Sequence, residues 1–123
     1  MTENNMKYIA LIYSNEATDP VPGSDEFSTM ITEYQDATNT FINDGVMVAG
    51  DPLESVNTAT TLRSRNGELD TIDGPFAETK EQLGGYYIFE CDNLDDALKY
   101  AAMIPSVKQG SIEVSPIMNI TAG

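Results

Sequence analysis

Apolar residues occupy both parities of the stretch Lys7-Tyr8-Ile9-Ala10-Leu11-Ile12-Tyr13. A strand of that composition has little reason to turn either face to water, so it is predicted as a central strand. A loop with Pro20, Pro22 and Gly23 follows, and the pattern then changes period. Phe27, Met30, Ile31, Tyr34, Phe41 and Ile42 recur at three- and four-residue spacing, with Ala37 and Thr38 filling the gap, which predicts a helix with one apolar face. Ser24 stands as its N-cap, Asp25 and Glu26 complement the positive end of its dipole, and Gly45 supplies the stop. The stripe is read as core packing rather than as the wall of a cofactor site.

Val46 to Ala49 forms a second short strand, which Gly50-Asp51-Pro52 is expected to end. Thr60 to Arg65 and Glu68 to Ile72 flank Asn66-Gly67, the pair best suited to a tight turn with positive φ at both central positions, so a hairpin is predicted. Tyr86 to Cys91 is another strand with both faces largely apolar. Asp92-Asn93 offers caps for a helix from Leu94 to Met103 that Pro105 closes, and Ser111 to Ile117 is the last strand. The order β-α-β, hairpin, β-α-β is the split pattern of a ferredoxin-like α+β domain, βαββαβ, with helices on one sheet face and an inserted hairpin. The strands at 7–13 and 86–91 need cover on the other face as well, with Ile9, Leu11, Tyr87 and Phe89 as the residues expected to meet it. The simplest cover is the same face of a second chain, so a homodimer is expected, with a small-molecule cleft between the covering layers. Residues 1–123 read as one domain, with 1–5 and 118–123 as flexible ends.

Charge narrows the partners. Twenty acidic against six basic residues give a formal net charge of −14, which repels phosphate backbones and anionic membrane surfaces, so neither nucleic acid nor membrane is expected as a partner. The polar start Met1-Thr2-Glu3-Asn4-Asn5 and the short apolar run after it resemble neither a signal peptide nor a membrane span, and a cytoplasmic location is expected. The one cysteine, Cys91, lies in an apolar strand and reads as an inert core thiol, because a nucleophile would need a basic neighbour. Histidine is absent. That removes the commonest general base, transition-metal ligand and proximal haem ligand, and no cofactor or metal site is expected.

The chemistry concentrates in Asp73-Gly74-Pro75-Phe76-Ala77-Glu78-Thr79-Lys80-Glu81-Gln82-Leu83-Gly84-Gly85-Tyr86-Tyr87. Asp-Gly-Pro breaks the incoming strand, and Gly84-Gly85 is expected to end the polar segment and release the chain into the next one. Asp73, at a strand end, is either an acid or base aimed into the cleft beside Phe76 or a carboxylate capping its own turn. Glu78 and Glu81 share a face only if the segment forms a helical turn. Arg63 and Arg65, the only arginines, share one strand face by alternation and either grip an anionic ligand or pair with local acid. Tyr13 and Tyr86, with Tyr8 and Tyr87, add polar-tipped aromatic surface that serves a ligand or a packed face.

The same fifteen residues resemble the signature of the DGPF proteins, a branch of the YCII-related family. The likeness extends through Met6-Lys7-Tyr8, Val46-Met47-Val48-Ala49-Gly50, Thr58-Ala59-Thr60-Thr61-Leu62-Arg63, Leu94-Asp95-Asp96-Ala97-Leu98 and Gly110-Ser111-Ile112-Glu113-Val114. It implies a ferredoxin-like unit that pairs into a dimeric α/β barrel, and a sensing role alongside a separate extracytoplasmic-function sigma factor. Relatives are proposed to pair a histidine with an aspartate, and often carry His-Gly before the final strand and an arginine within it. Here those positions read Gln109-Gly110 and Ser115, so a histidine-dependent mechanism cannot operate. Two functions are compatible with these residues. One is a binding module for a small polar or anionic metabolite, with Arg63, Arg65, Tyr13, Phe76, Glu78 and Tyr86 as candidate contacts. The other is a cofactor-free isomerase or lyase using Asp73.

Overall fold

The computed structural model describes residues 6–120, so of the flexible ends expected at 1–5 and 118–123, residues 1–5 and 121–123 lie outside the described residues. The elements are β1 (Met6–Ser14), α1 (Asp25–Asn43), β2 (Met47–Pro52), β3 (Thr60–Arg65), β4 (Glu68–Asp73), β5 (Gln82–Cys91), α2 (Leu94–Ala101) and β6 (Ser111–Pro116). Short 3-10 turns at Val56–Thr58 and Pro105–Lys108 complete them. One sheet has the order β2-β5-β1-β6 with antiparallel pairing throughout, and β3-β4 forms a separate two-stranded sheet. Two helices on an antiparallel sheet in that order make an α+β fold compatible with the ferredoxin-like pattern. No helix among the described residues is long and apolar enough to cross a membrane.

Both helices pack against the sheet face carrying Tyr8, Ala10 and Ile12 of β1 and Tyr87, Phe89 and Cys91 of β5. Phe41 of α1 sits at the centre of this core, edge-on to Tyr87 at 5.1 Å and to Phe89 at 4.9 Å between ring centroids. Such edge-to-face contacts match the positive rim of one ring to the negative face of the next. The other parity of the same strands is only half-buried. Ile9 pairs with Ile88, Leu11 with Tyr86 and Tyr13 with Leu83, and no helix or strand among the described residues covers them.

Helix entry follows the sequence closely. Ser24 Oγ accepts the Phe27 amide at 3.1 Å and Asn93 Oδ1 accepts the Asp96 amide at 2.9 Å, while Gly45 leaves α1 with φ +75°. Three boundaries differ from expectation by more than one residue. β2 continues through Gly50-Asp51-Pro52, because it is an edge strand whose outer side asks no ladder bond of proline. β5 begins at Gln82, so Gly84-Gly85 lies inside the strand. A register shift against β1 occurs there, and a Cβ at Gly85 would stand 3.0 Å from the Asp51 carbonyl. α2 ends at Ala101, two residues before Met103, and Pro105 opens a 3-10 turn.

Candidate functional site

α1 touches the core with only part of its apolar stripe. Its buried residues are Ala37 and Phe41, in the C-terminal half. Over the N-terminal half, Phe27, Met30 and Tyr34 are half-buried and Ile31 is exposed. Between this half and the sheet lies an open cavity of about 990 Å³. Phe27, Met30, Tyr34 and Thr38 line it from the helix, and Ile12, Met47, Gly50 and Tyr87 from the sheet. The expectation that the whole stripe is core packing is corrected here: periodicity marks the inward face of a helix but not its distance from what it faces.

The polar lining is made of hydroxyls, acids and the side-chain amides of Gln35 and Asn39. Thr38 Oγ1 and the Tyr87 hydroxyl are 2.7 Å apart, as are the Tyr34 hydroxyl and Ser106 Oγ, and either atom of each pair can donate. Ser14 Oγ donates to Asp19 Oδ2 at 2.8 Å. Further out, Glu16 accepts from Ser55 Oγ at 2.9 Å and from the Val56 amide at 3.1 Å. No lysine or arginine is among the lining residues. Burial lifts the Tyr34 phenol above its ordinary 10.0, against the lowering effect of its bond to Ser106. It is therefore protonated at neutral pH and works as a hydrogen-bonding group rather than a base.

Tyr86 also borders the cavity, but its register partners are Leu11 and Asp51, on the uncovered side of the sheet. Its hydroxyl donates to Asp51 Oδ2 at 3.0 Å, and this bond lifts the phenol pKa. That pair stands at the β2 edge, and both of its residues are part of the cavity lining.

The remaining sequence candidates lie elsewhere. Tyr13 is on the uncovered face, paired with Leu83 and Ser111. Arg63 and Arg65 face one side of the hairpin, directly across from Asp70 and Glu68, and Arg65 Nη1 donates to the Ser64 carbonyl at 3.1 Å. Among the described residues neither arginine makes an ion pair within 4 Å. Asp73 is exposed at the end of β4, opposite Thr60. Gly74 takes φ +94° and closes the hairpin base through its amide to the Ala59 carbonyl at 2.7 Å. Phe76 and Glu78 are exposed in the irregular segment that follows. Cys91 is buried, and desolvation raises its thiol pKa, which keeps it protonated.

The cavity residues that sequence reasoning missed left faint signals. Ser14 is the polar end of β1 on its buried parity, and Thr38 interrupts the apolar stripe where a core helix would carry another aliphatic residue. Ser106, buried behind Pro105, left none.

The YCII-related domain family matches residues 6–121. An uncharacterized protein of Rhizobium meliloti (strain 1021) is 33% identical over 114 residues, covering 91% of this chain and 92% of the relative. A match of that extent takes in every strand and both helices, and the chain belongs to the YCII-related family.

Proposed function

We propose that this chain binds a small organic molecule in the cavity between α1 and the sheet, as one half of a homodimer. The observation that carries it is the N-terminal half of α1: Phe27, Met30 and Tyr34 of its apolar stripe line an open space of ligand size, and of these three only Tyr34 also packs against the core. Apolar walls with a few placed hydroxyls suit a compact molecule with a hydrocarbon body and a polar head. Acidic residues without a basic counterpart in the lining favour a polar head over an anionic one. The resemblance to proteins that accompany extracytoplasmic-function sigma factors supports ligand sensing, reported to a separate partner, as the purpose of such binding.

Amide-detected NMR titration with a panel of small alcohols, amines and carboxylates tests this. Shifts are expected in residues 27–38 and 84–87. If no compound moves them at millimolar concentration, the cavity is not a binding site. An isomerase- or lyase-type role for Asp73 would put the chemistry at the hairpin base, outside the cavity. Turnover that is lost in Asp73→Asn would establish that role instead.

A further inference from the structure

We infer that the cavity selects an organic amine, its ammonium head held at Asp19 and its hydrocarbon body laid between α1 and the sheet. This rests on the cavity being the binding site proposed above. Asp19 is half-buried in the loop after β1 and lines the cavity, where Ser14 Oγ already orients one of its oxygens at 2.8 Å. A carboxylate offers about four lone-pair positions, so one hydroxyl leaves it free to accept from a ligand. Its charge reaches the inner polar group of the cavity, since Asp19 is among the charges that disfavour ionisation of Tyr34. The Tyr34–Ser106 pair at 2.7 Å can turn an oxygen lone pair toward an ammonium, because either hydroxyl can serve as the donor within the pair.

What surrounds this head site fits a cation with an apolar body. Phe27 and Tyr34 present aromatic rings, whose faces attract ammonium groups, and Met30, Met47 and Ile12 supply hydrocarbon surface. Glu16 and Asp51 add two further carboxylates, both exposed where Asp19 is half-buried, and no basic side chain lines the space to repel the ligand. Asp19 and Glu16 do not act by enclosing a metal: among the described residues no group of three acidic, cysteine or histidine side chains is placed to hold one. The formal charge of −14 adds long-range attraction for a cation and repulsion for an anion.

Three probes share one carbon skeleton: 3-phenylpropan-1-amine, 3-phenylpropan-1-ol and 3-phenylpropanoate. Titrated into the intact protein at 50 mM salt, the amine is expected to bind at least about fivefold more tightly than the alcohol, because both donate to the ionised carboxylate but only the ammonium adds charge–charge attraction. The carboxylate should bind most weakly. In Asp19→Asn, which keeps an acceptor for Ser14, the amine should lose more affinity than the alcohol, so that the ratio between them shrinks. Equal affinities for all three, with cavity amides shifting, would overturn the selectivity and leave the binding site standing. Amine-induced shifts confined to residues outside the cavity would overturn it as surface ion pairing. No shift in residues 27–38 and 84–87 with any probe would remove the site itself. An Asp19→Asn protein that binds the amine as tightly as the parent would move the charge recognition elsewhere.

Discussion

Gly50 shows how one missing side chain positions a functional group. It pairs across the ladder with Tyr87, whose ring lies over it so closely that an added Cβ would stand 2.6 Å from Cδ1. Held there, the Tyr87 hydroxyl reaches Thr38 at 2.7 Å and ties α1 to the sheet beside the cavity. Gly50→Ala should therefore displace the ring and destabilise the fold by about 1–3 kcal/mol, the usual cost of overpacking. Urea denaturation checks this, and an unchanged midpoint would show that the ring moves freely. The tyrosines also set a pH limit. Tyr34, Tyr86 and Tyr100 have pKa values raised above 10.0 in the folded chain: Tyr34 by burial, Tyr86 by its bond to Asp51, Tyr100 by its bond to Asp44. Between the unfolded value and the raised folded ones, the unfolded chain binds fewer protons, so stability falls as pH rises. Their contribution is complete below about pH 10 and is lost as pH climbs through the folded values. Urea midpoints measured from pH 8 to 11 should decline at the alkaline end, less steeply in Tyr34→Phe.

At the scale of elements, the hairpin and the body of the domain are physically separate. Leu69 is 74% exposed and Phe76, just beyond the hairpin, 76% exposed, and β3 and β4 pair with each other alone. The bond from the Gly74 amide to the Ala59 carbonyl closes the hairpin base, so replacing Thr60 through Asp73 with two glycines should leave the four-stranded sheet intact. The expected stability change is less than about 1 kcal/mol, since no core contact is lost and a shorter loop closes more readily. Ligand binding in the cavity should also survive, although Arg63, Arg65 and Asp73 are gone. Loss of binding in this variant would return the site to the hairpin. The hairpin was legible because its signal is local: Asn66 and Gly67 adopt φ of 54° and 82°, as an Asn-Gly turn between two strands requires. The order of elements along the chain and both N-caps were legible for similar reasons, but the core parity of β5 was not: with both parities apolar, Tyr87 and Phe89 read as dimer-face residues, and they pack under the helices instead. The cavity was not legible either. Phe27 and Phe41 belong to one stripe by spacing, yet only Phe41 closes on the sheet, because how far a helix stands from its neighbour depends on residues distant in sequence, among them Gly50 and Ser106.

For the whole molecule, the decisive feature is a sheet with one covered face and one half-buried face. Ile9, Leu11, Tyr13, Leu83 and Ile88 are only half-buried among the described residues, and each fully buried aliphatic or aromatic side chain is worth about 1.5–3 kcal/mol over exposure to water. In a two-fold pair every such residue counts twice, so a dimer at micromolar concentration is expected, with sedimentation giving twice the chain mass. Leu11→Lys should yield a folded monomer, because two ammonium groups would meet at the centre of the face. Salt distinguishes this association from ligand binding. Each protomer carries a formal −14, so chains that meet through apolar residues do so against mutual repulsion. Raising salt toward 0.5 M shortens the screening length to well below about 10 Å and should tighten the dimer. The same change removes attraction between Asp19 and an ammonium, so amine affinity should fall. Opposite signs in one salt series, read by sedimentation and by titration, are expected. A dimer that loosens with salt while the fold stays intact would mean that ion pairs hold the two chains together rather than the apolar face of β1 and β5.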